Sequence, residues 1–155
     1  MLIRRLEQSS RDITDLARLL IDMHASSGLA LPPLNMTKVL QAVWECEQSG
    51  IVFVAERETD GGLTGAIGIV ETPHWFSDET FLTDRFYYVR QEDRASGAAV
   101  GLLNAAKKYA SILQKPLSVA VWNGEDVERK DRFFERKGMR RVGGIYLTGL
   151  EKETG

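Results

Sequence analysis

The stretch RQEDRASGAAVGLLNAAKKYA, residues 90–110, joins a β-branched and aromatic segment to apolar residues at helical spacing. Small side chains dominate the junction, which consists of Arg94, Ala95, Ser96, Gly97, Ala98 and Ala99. The first N–H groups of a helix lack partners within the helix and carry partial positive charge. Because small side chains let an anion approach these groups, the junction predicts a pyrophosphate site with Arg94 at its rim. A tight turn that needs small residues for packing is the alternative.

The composition is typical of one globular domain covering residues 1–155, since 43% of the 155 residues are hydrophobic. The 20 basic and 22 acidic side chains leave a formal net charge of −2. This balance gives no overall attraction to nucleic acid or to an anionic membrane. The chain also lacks the GxxxxGK[ST] motif of nucleotide triphosphate sites.

Cysteine and histidine are too few for a disulfide framework or a zinc signature, since the chain contains only Cys46, His24 and His74. We therefore expect no metal site and a reducing, cytoplasmic setting. The first residues do not resemble a signal peptide, and no apolar run reaches the roughly 20 residues of a membrane helix. The sequence predicts a soluble protein without a membrane partner.

The hydrophobic pattern predicts the element order β-α-α-β-β-β-α-β-α-β, a mixed α/β arrangement. Strands are predicted over residues 1–6, 51–56, 63–72, 80–89, 117–122 and 141–147. Helices are predicted from residues 9–12 to Gly28, and over 36–48, 97–113 and 129–136. The second helix should turn Val39, Leu40, Val43 and Trp44 inward. Gly65 and Gly68, inside a strand, predict a bulge or a close approach by another group.

Two segments carry a resemblance to a known family. Arg94-x-x-Gly97-x-Ala99 resembles the [RQ]-x-x-G-x-[GA] signature of the GCN5-related N-acetyltransferases (GNAT), and residues 133–139, FFERKGM, resemble that family's helix end before the last strand. The resemblance implies a mixed, mostly antiparallel central sheet with a splayed parallel strand pair, flanked by helices. It also implies an acetyl-CoA-dependent N-acetyltransferase that moves an acetyl group directly to a primary amine of a small molecule or protein.

The same resemblance implies which residues would bind acetyl-CoA. The backbone amide of Val89, on the strand before the junction, would stabilise the thioester oxygen. Residues of the 94–99 junction would bind the pyrophosphate, although Ser96 stands where the family often has a lysine, so one cation is missing. Asn123 could hydrogen-bond the pantetheine arm, with a plain loop asparagine as the alternative. Phe134 aligns with the family's usual tyrosine, which protonates the leaving thiolate.

Candidate catalytic groups lie near the expected cleft. Asp84 and Glu71 could accept the amine proton directly or through a water. Tyr146 and Tyr88 are substitutes for the acid that Phe134 cannot provide, although core packing explains each equally well. His74 could act as a base, but its aromatic neighbours favour a substrate-side loop.

Three functions remain open from the sequence. The first is the transferase; the second is a non-catalytic acyl-CoA-binding or interaction protein on the same fold, favoured by Phe134; the third is a partner-binding α/β domain without a CoA site. Residues 26–35 and 72–79 would face the acceptor, and both are poor in charge. The basic residues of 129–141 alternate with acidic ones, which favours a solvated helix over nucleic-acid binding. Homodimers are common in such folds, and the sequence neither requires nor excludes one.

Overall fold

A computed structural model describes residues 1–120 and 122–150 of the chain. A five-stranded sheet in the order β1-β2-β3-β4-β5 organises these residues. The first four strands are antiparallel neighbours, and β4 and β5 run parallel. The strands are β1 (Leu2–Arg5), β2 (Gly50–Glu56), β3 (Leu63–Pro73), β4 (Thr80–Val89) and β5 (Leu117–Ser118). This topology confirms the predicted mixed, mostly antiparallel sheet.

Four α-helices flank the sheet. They are α1 (Ser10–Ala25), α2 (Met36–Ser49), α3 (Ala98–Leu113) and α4 (Val127–Arg136), with a 3-10 helix at Gln91–Ser96 before α3. Side chains cap the first two, since Ser9 accepts from the N–H of Asp12 and Asn35 accepts from the N–H of Lys38. None of the helices described is long and apolar enough to cross a membrane.

Two apolar clusters, one on each face of the sheet, form the core. Side chains of α1 and α2 such as Leu16 and Val43 pack with Val52 and Phe86, whereas Leu102 and Ala106 of α3 pack with the opposite side of the same strands. Alternation of side chains along each strand produces this division.

The strand glycines act as predicted. A Cβ on Gly65 would lie 2.9 Å from the carbonyl oxygen of Tyr88, and one on Gly68 would lie 2.5 Å from Cζ of Phe86. The register also shifts between Gly68 and Ile69, which marks a β-bulge in the pairing with β4. Both glycines therefore let β4 and its side chains approach β3 closely.

The last predicted strand is wrong. Residues 141–147 form no strand, and Val142 and Tyr146 are 85% and 92% exposed. The pair Gly143-Gly144 weakens strand formation. In addition, β5 pairs only through Leu117 and Ser118, so it is shorter than the predicted 117–122 and offers little edge to a neighbour. Val121, within that prediction, lies outside the described residues.

The predicted inward face of α2 is also partly wrong. Val43 and Cys46 are buried with Val39 packed beside them, whereas Leu40 and Trp44 are 41% and 56% exposed. Positions 39, 43 and 46 follow one helical stripe, and positions 40 and 44 lie about 100° further round the helix.

An ion-pair network fixes β1 to α1 and β2. The guanidinium of Arg4 donates to both carboxylate oxygens of Asp12, at 2.7 and 2.9 Å, and to Glu56 at 2.7 Å. Asp12 also accepts from the N–H of Glu7 at 2.8 Å and is only 4% exposed. The hydrogen bonds from Arg4 are the main cause of the lowered pKa of Asp12.

We predict that Asp12→Ala lowers the free energy of unfolding by about 2–3 kcal/mol at pH 7, because it leaves the half-buried Arg4 without its bidentate partner. Since the folded-state pKa of Asp12 is depressed, this contribution is present above its unfolded-state pKa and is lost as the pH falls through the folded-state value. Urea unfolding at several pH values measures it. The control is Arg18→Gln, which removes an exposed pair with Asp15 at 3.8 Å and should change stability by less than about 0.5 kcal/mol. Equal losses in both variants would contradict the prediction.

Candidate functional site

The site begins where β4 and β5 separate. The two strands pair at Leu82↔Leu117 and Thr83↔Ser118, and the N–H of Leu82 donates to the carbonyl of Pro116 at 2.8 Å. One residue further on, main-chain pairing gives way to a side-chain contact, in which Asp84 Oδ1 accepts from the N–H of Ala120 at 2.9 Å. The parallel strands therefore part beyond Thr83, which confirms the predicted splay.

Backbone donors of β4 face the gap between the strands. The N–H of Arg90 donates to the carbonyl of Thr64 at 2.9 Å, which makes that pair a hydrogen-bonded one in the β3–β4 ladder. In an antiparallel ladder hydrogen-bonded and non-hydrogen-bonded pairs alternate, so the pairs Gly65↔Val89 and Ile67↔Tyr87 are non-bonded. The N–H groups of Val89 and Tyr87 consequently turn away from β3 toward the gap. The sequence identified the first of these donors and missed the second.

The junction after β4 forms the rim of the gap. Its turn ends at Gly97, which has a φ of +84° and whose missing Cβ would meet nothing within 4 Å. Ala98 is fully buried against the sheet, and the carbonyl of Ala99 accepts from the Tyr87 hydroxyl. Ala95 is exposed, and Ser96 donates its hydroxyl to the carbonyl of Asp93. Packing thus explains the small side chain of Ala98, whereas open space adjoins Gly97.

Lys130 of α4 interacts electrostatically with Arg94 of the junction. Arg94 is exposed and donates through Nε to the carbonyl of Val89 at 3.4 Å. Burial, the largest cause, and then the positive charge of Arg94 lower the pKa of Lys130. Lys130 Nζ donates to Asn123 Oδ1 at 2.7 Å and to the carbonyl of Glu125 at 2.9 Å. The sequence missed this contribution of Lys130, because only the packing of α4 brings it to a loop that lacks a lysine at Ser96.

Phe134 contacts β4, whereas Asn123 lies in a turn that contacts the segment after α1. The side-chain oxygen of Asn123 is occupied by Lys130 and by the N–H of Glu125 at 3.2 Å, and its carbonyl accepts from Gly28 at 3.0 Å. Its amide N–H₂ has no partner among the described residues. The ring of Phe134 packs edge-on against Tyr87 of β4, with centroids 6.3 Å apart. The structure thus brings α4 to the same strand as the backbone donors.

Asp84 is the candidate carboxylate that lies between β4 and the segment after β5. It sits at the opening of the gap, and burial, the largest cause, raises its pKa. Glu71 lies elsewhere, because it pairs opposite Leu82, roughly 23 Å along the strand from Val89. Its carboxylate accepts from Thr80 at 2.8 Å and pairs with Lys115 at 3.0 Å, contacts that lower its pKa. This arrangement favours a structural role for Glu71.

The tyrosine candidates do not reach the gap side of β4. Tyr146 projects into solvent on the irregular segment 141–147. Tyr88 is buried on the α1 side, where its hydroxyl donates to Asp22 at 2.6 Å. Asp22 in turn lies 3.6 Å from the guanidinium of Arg90. Sequence analysis missed Asp22, since nothing in the helical pattern of α1 distinguishes it from a solvated carboxylate.

His74 belongs to an aromatic cluster at the other end of β4. Its ring stacks on Phe76 and Phe81 with centroids 5.2 and 4.6 Å apart. Because residue 74 follows the end of β3, it lies even further from Val89 than Glu71 does. Its position gives it no access to the backbone donors.

Known structures share this arrangement over nearly the whole chain. A ribosomal-protein-alanine N-acetyltransferase from Brucella melitensis superposes with a TM-score of 0.70 at 18% identity, covering 96% of this chain and 97% of its own. An aminoglycoside 6'-N-acetyltransferase from Acinetobacter haemolyticus superposes with a TM-score of 0.69 at 12% identity, covering 99% of this chain and 100% of its own. Glucosamine-6-phosphate N-acetyltransferase from Arabidopsis thaliana superposes with a TM-score of 0.67 at 14% identity, and 96% of each chain is covered.

Sequence comparison adds nothing to this result, because no protein-family model and no curated protein sequence matches the chain. A GNAT family acetyltransferase from Staphylococcus aureus, at 13% identity and a TM-score of 0.64, belongs to the same set of similar structures. At such low identities the likeness concerns architecture. The sheet order, the splayed β4–β5 pair and these superpositions together show that the chain has the GNAT fold.

Proposed function

We infer that the protein is an acetyl-CoA-dependent N-acetyltransferase that moves an acetyl group directly to a primary amine of a small molecule or a protein. The observation that carries this proposal is the pair of N–H groups of Val89 and Tyr87, which face a gap that β5 does not fill. Backbone donors held in that way can stabilise an oxygen on which negative charge develops.

The junction supplies a matching site for the pyrophosphate of acetyl-CoA. Open space next to Gly97 gives an anion access to the start of α3, where the first N–H groups have no partner within the helix and that of Ala98 donates only to Ser96 Oγ at 3.4 Å among the described residues. Arg94 and Lys130 add two positive charges beside it. The free amide N–H₂ of Asn123 and the ring of Phe134 would line the pantetheine arm between the junction and the gap.

The chemistry of the reaction assigns a task to Asp84. The acceptor nitrogen forms a bond to the acyl carbon while the C–S bond breaks, and the nitrogen must lose a proton. Asp84 accepts it directly or through a water, and its raised pKa brings the carboxylate closer to the basicity that this task needs. Phe134 cannot protonate the departing thiolate, so the proton comes from solvent; a thiol pKa of about 8.5 makes the thiolate a tolerable leaving group without an acid.

A non-catalytic acyl-CoA-binding protein on the same fold is the second candidate. Phe134, in place of a proton donor, is the specific observation that favours it. Such a protein would use the donors and the cation pair for binding alone. Turnover with an amine panel, followed through thiol release, separates the two candidates, because only the transferase releases thiol in proportion to acceptor.

We predict that Gly97→Glu weakens acetyl-CoA binding at least about 30-fold, because a carboxylate in the open space next to α3 repels the pyrophosphate. Gly97→Ala is the matched control: it imposes the same strain at a φ of +84° without the charge, and should change the affinity only a few-fold. Isothermal titration calorimetry measures both.

A second ligand isolates the cause. S-acetylpantetheine lacks the pyrophosphate, so its affinity should be the same in Gly97→Glu and Gly97→Ala. Equal acetyl-CoA affinity in the two folded variants would remove the junction from the site.

We predict that Asp84→Asn lowers kcat/KM for the amine about 100-fold, the usual size of a general-base contribution. In the wild type, kcat/KM should fall as the pH drops through the pKa of Asp84, which burial places above the usual aspartate value. The variant should not show this decrease. Measuring two acceptors whose amines differ in pKa separates the ionisation of the enzyme from that of the acceptor.

The fold should tolerate this change, because asparagine keeps an oxygen for the N–H of Ala120. Because the pKa of Asp84 is raised in the folded state, its charged form destabilises the fold as the pH rises. Removing this charge should therefore not lower the free energy of unfolding at pH 7. Glu45→Gln, which neutralises an exposed carboxylate of α2, is the control. An unchanged pH profile in Asp84→Asn would assign the proton transfer to another group.

A further inference from the structure

A cavity of about 400 Å³ lies on the face of β4 that α1 and α2 cover. Its walls are largely apolar and come from both helices, from the segment between them and from the strand. They include Leu20, Met23, Leu31, Val39, Ala42 and Phe86. A cavity of this size and character accommodates a small apolar group.

Two cations at this cavity lack partners. Lys38 and Arg85 line it, and the side chain of neither forms a hydrogen bond or ion pair within residues 1–120 and 122–150. No carboxylate is among the lining residues, which otherwise contribute only His24 and Asn35 as polar side chains. Asp84 adjoins Arg85 in sequence, but its Oδ1 is engaged by Ala120 at the gap. The cavity therefore combines apolar walls with two solvent-exposed cations that form no ion pair among the described residues.

The β-bulge explains how Arg85 reaches this cavity. Pairing passes from Gly68↔Phe86 to Ile69↔Asp84, so Arg85 is the extra residue and has no partner on β3. Bulges redirect side chains, and here Arg85 and its neighbour Phe86 both line the cavity. Gly68 completes the arrangement, since any side chain there would displace the Phe86 ring.

The bulge also places the cavity and the gap next to each other along β4. Asp84 marks the opening of the gap, and Arg85, the next residue of the strand, lines the cavity. A ligand that reaches from the cavity to the gap would meet a guanidinium at one end and a carboxylate at the other. An amine and a carboxylate on the same small molecule match that order of charges.

We propose that the acceptor is a small amine that carries a carboxylate and an apolar side chain, as a free apolar amino acid does. Arg85, with Lys38, receives the carboxylate; the apolar side chain occupies the cavity; and the amine points toward Asp84. This assignment rests on the proposed transferase function and specifies its acceptor.

The kinetic test compares leucine with leucinamide, which differ in the carboxylate alone, at saturating acetyl-CoA. When kcat/KM is calculated from the concentration of unprotonated amine, its value in the wild type should be at least about tenfold higher for leucine than for leucinamide. This is the size expected for a bidentate guanidinium–carboxylate contact. Arg85→Gln should abolish the preference by lowering kcat/KM for leucine at least about tenfold. Lys108→Gln removes one exposed charge from α3, on the opposite face of the sheet, and should keep the preference.

A binding test does not depend on turnover. N-acetyl-leucine should shift the NMR signals of residues lining the cavity, with an affinity at least about tenfold above that of N-acetyl-leucinamide and lost in Arg85→Gln. N-acetylglycine, which keeps the carboxylate without the apolar side chain, should bind more weakly than N-acetyl-leucine.

The outcomes distinguish the two levels of the proposal. Equal rates with leucine and leucinamide, or a preference that survives Arg85→Gln, would overturn the acceptor assignment while the transferase stands. Turnover of no amine would overturn the transferase, and with it the acceptor role; selective binding of N-acetyl-leucine would then show an apolar carboxylate site alone. Failure of N-acetyl-leucine to bind would overturn the cavity as a carboxylate site.

Discussion

The early end of the β4–β5 ladder is the constraint on which the site depends. Had β5 continued beside β4, its carbonyls would have satisfied the N–H groups of Tyr87 and Val89, as Pro116 satisfies Leu82. Asp84 interrupts that continuation by placing a side-chain oxygen where a main-chain one would pair with Ala120. A buried N–H group without a hydrogen-bond partner costs free energy. The gap therefore favours the binding of a ligand whose oxygen accepts hydrogen bonds from these groups.

One irregularity in β4 serves both sides of the sheet. The extra residue at Arg85 shifts the side-chain alternation, so that Phe86 and Tyr88 pack toward α1 and α2 while Tyr87 and Val89 face α3. Gly68 on β3 leaves the space that this shift requires. Within this stretch Arg85 and Phe86 line the cavity, while Asp84 lies at the opening of the gap. The bulge thus explains why the candidate cofactor and acceptor regions meet at this point.

Local patterns predicted the turn between β4 and α3 and the close contacts of two strand glycines. The junction at residues 94–99 and the close approaches at Gly65 and Gly68 follow from side-chain size alone. Lys130 could not be found in this way, since its place beside Arg94 depends on how α4 packs. The expected strand at 141–147 failed for a related reason: β propensity needs an edge to pair with, and β5 ends at Ser118.

The environment of Asp84 bears on the choice between enzyme and binding protein. A partly buried carboxylate with a raised pKa destabilises the folded state at neutral pH, and a protein that only held acyl-CoA would gain stability by replacing it. Its single contact with Ala120 would be preserved by an asparagine, so the strand arrangement does not require the charge. Proton acceptance does require it. An ionisable group therefore stands at the opening of the gap, where a neutral one would keep the hydrogen bond from Ala120, and its position suits proton transfer although Phe134 removes the usual acid.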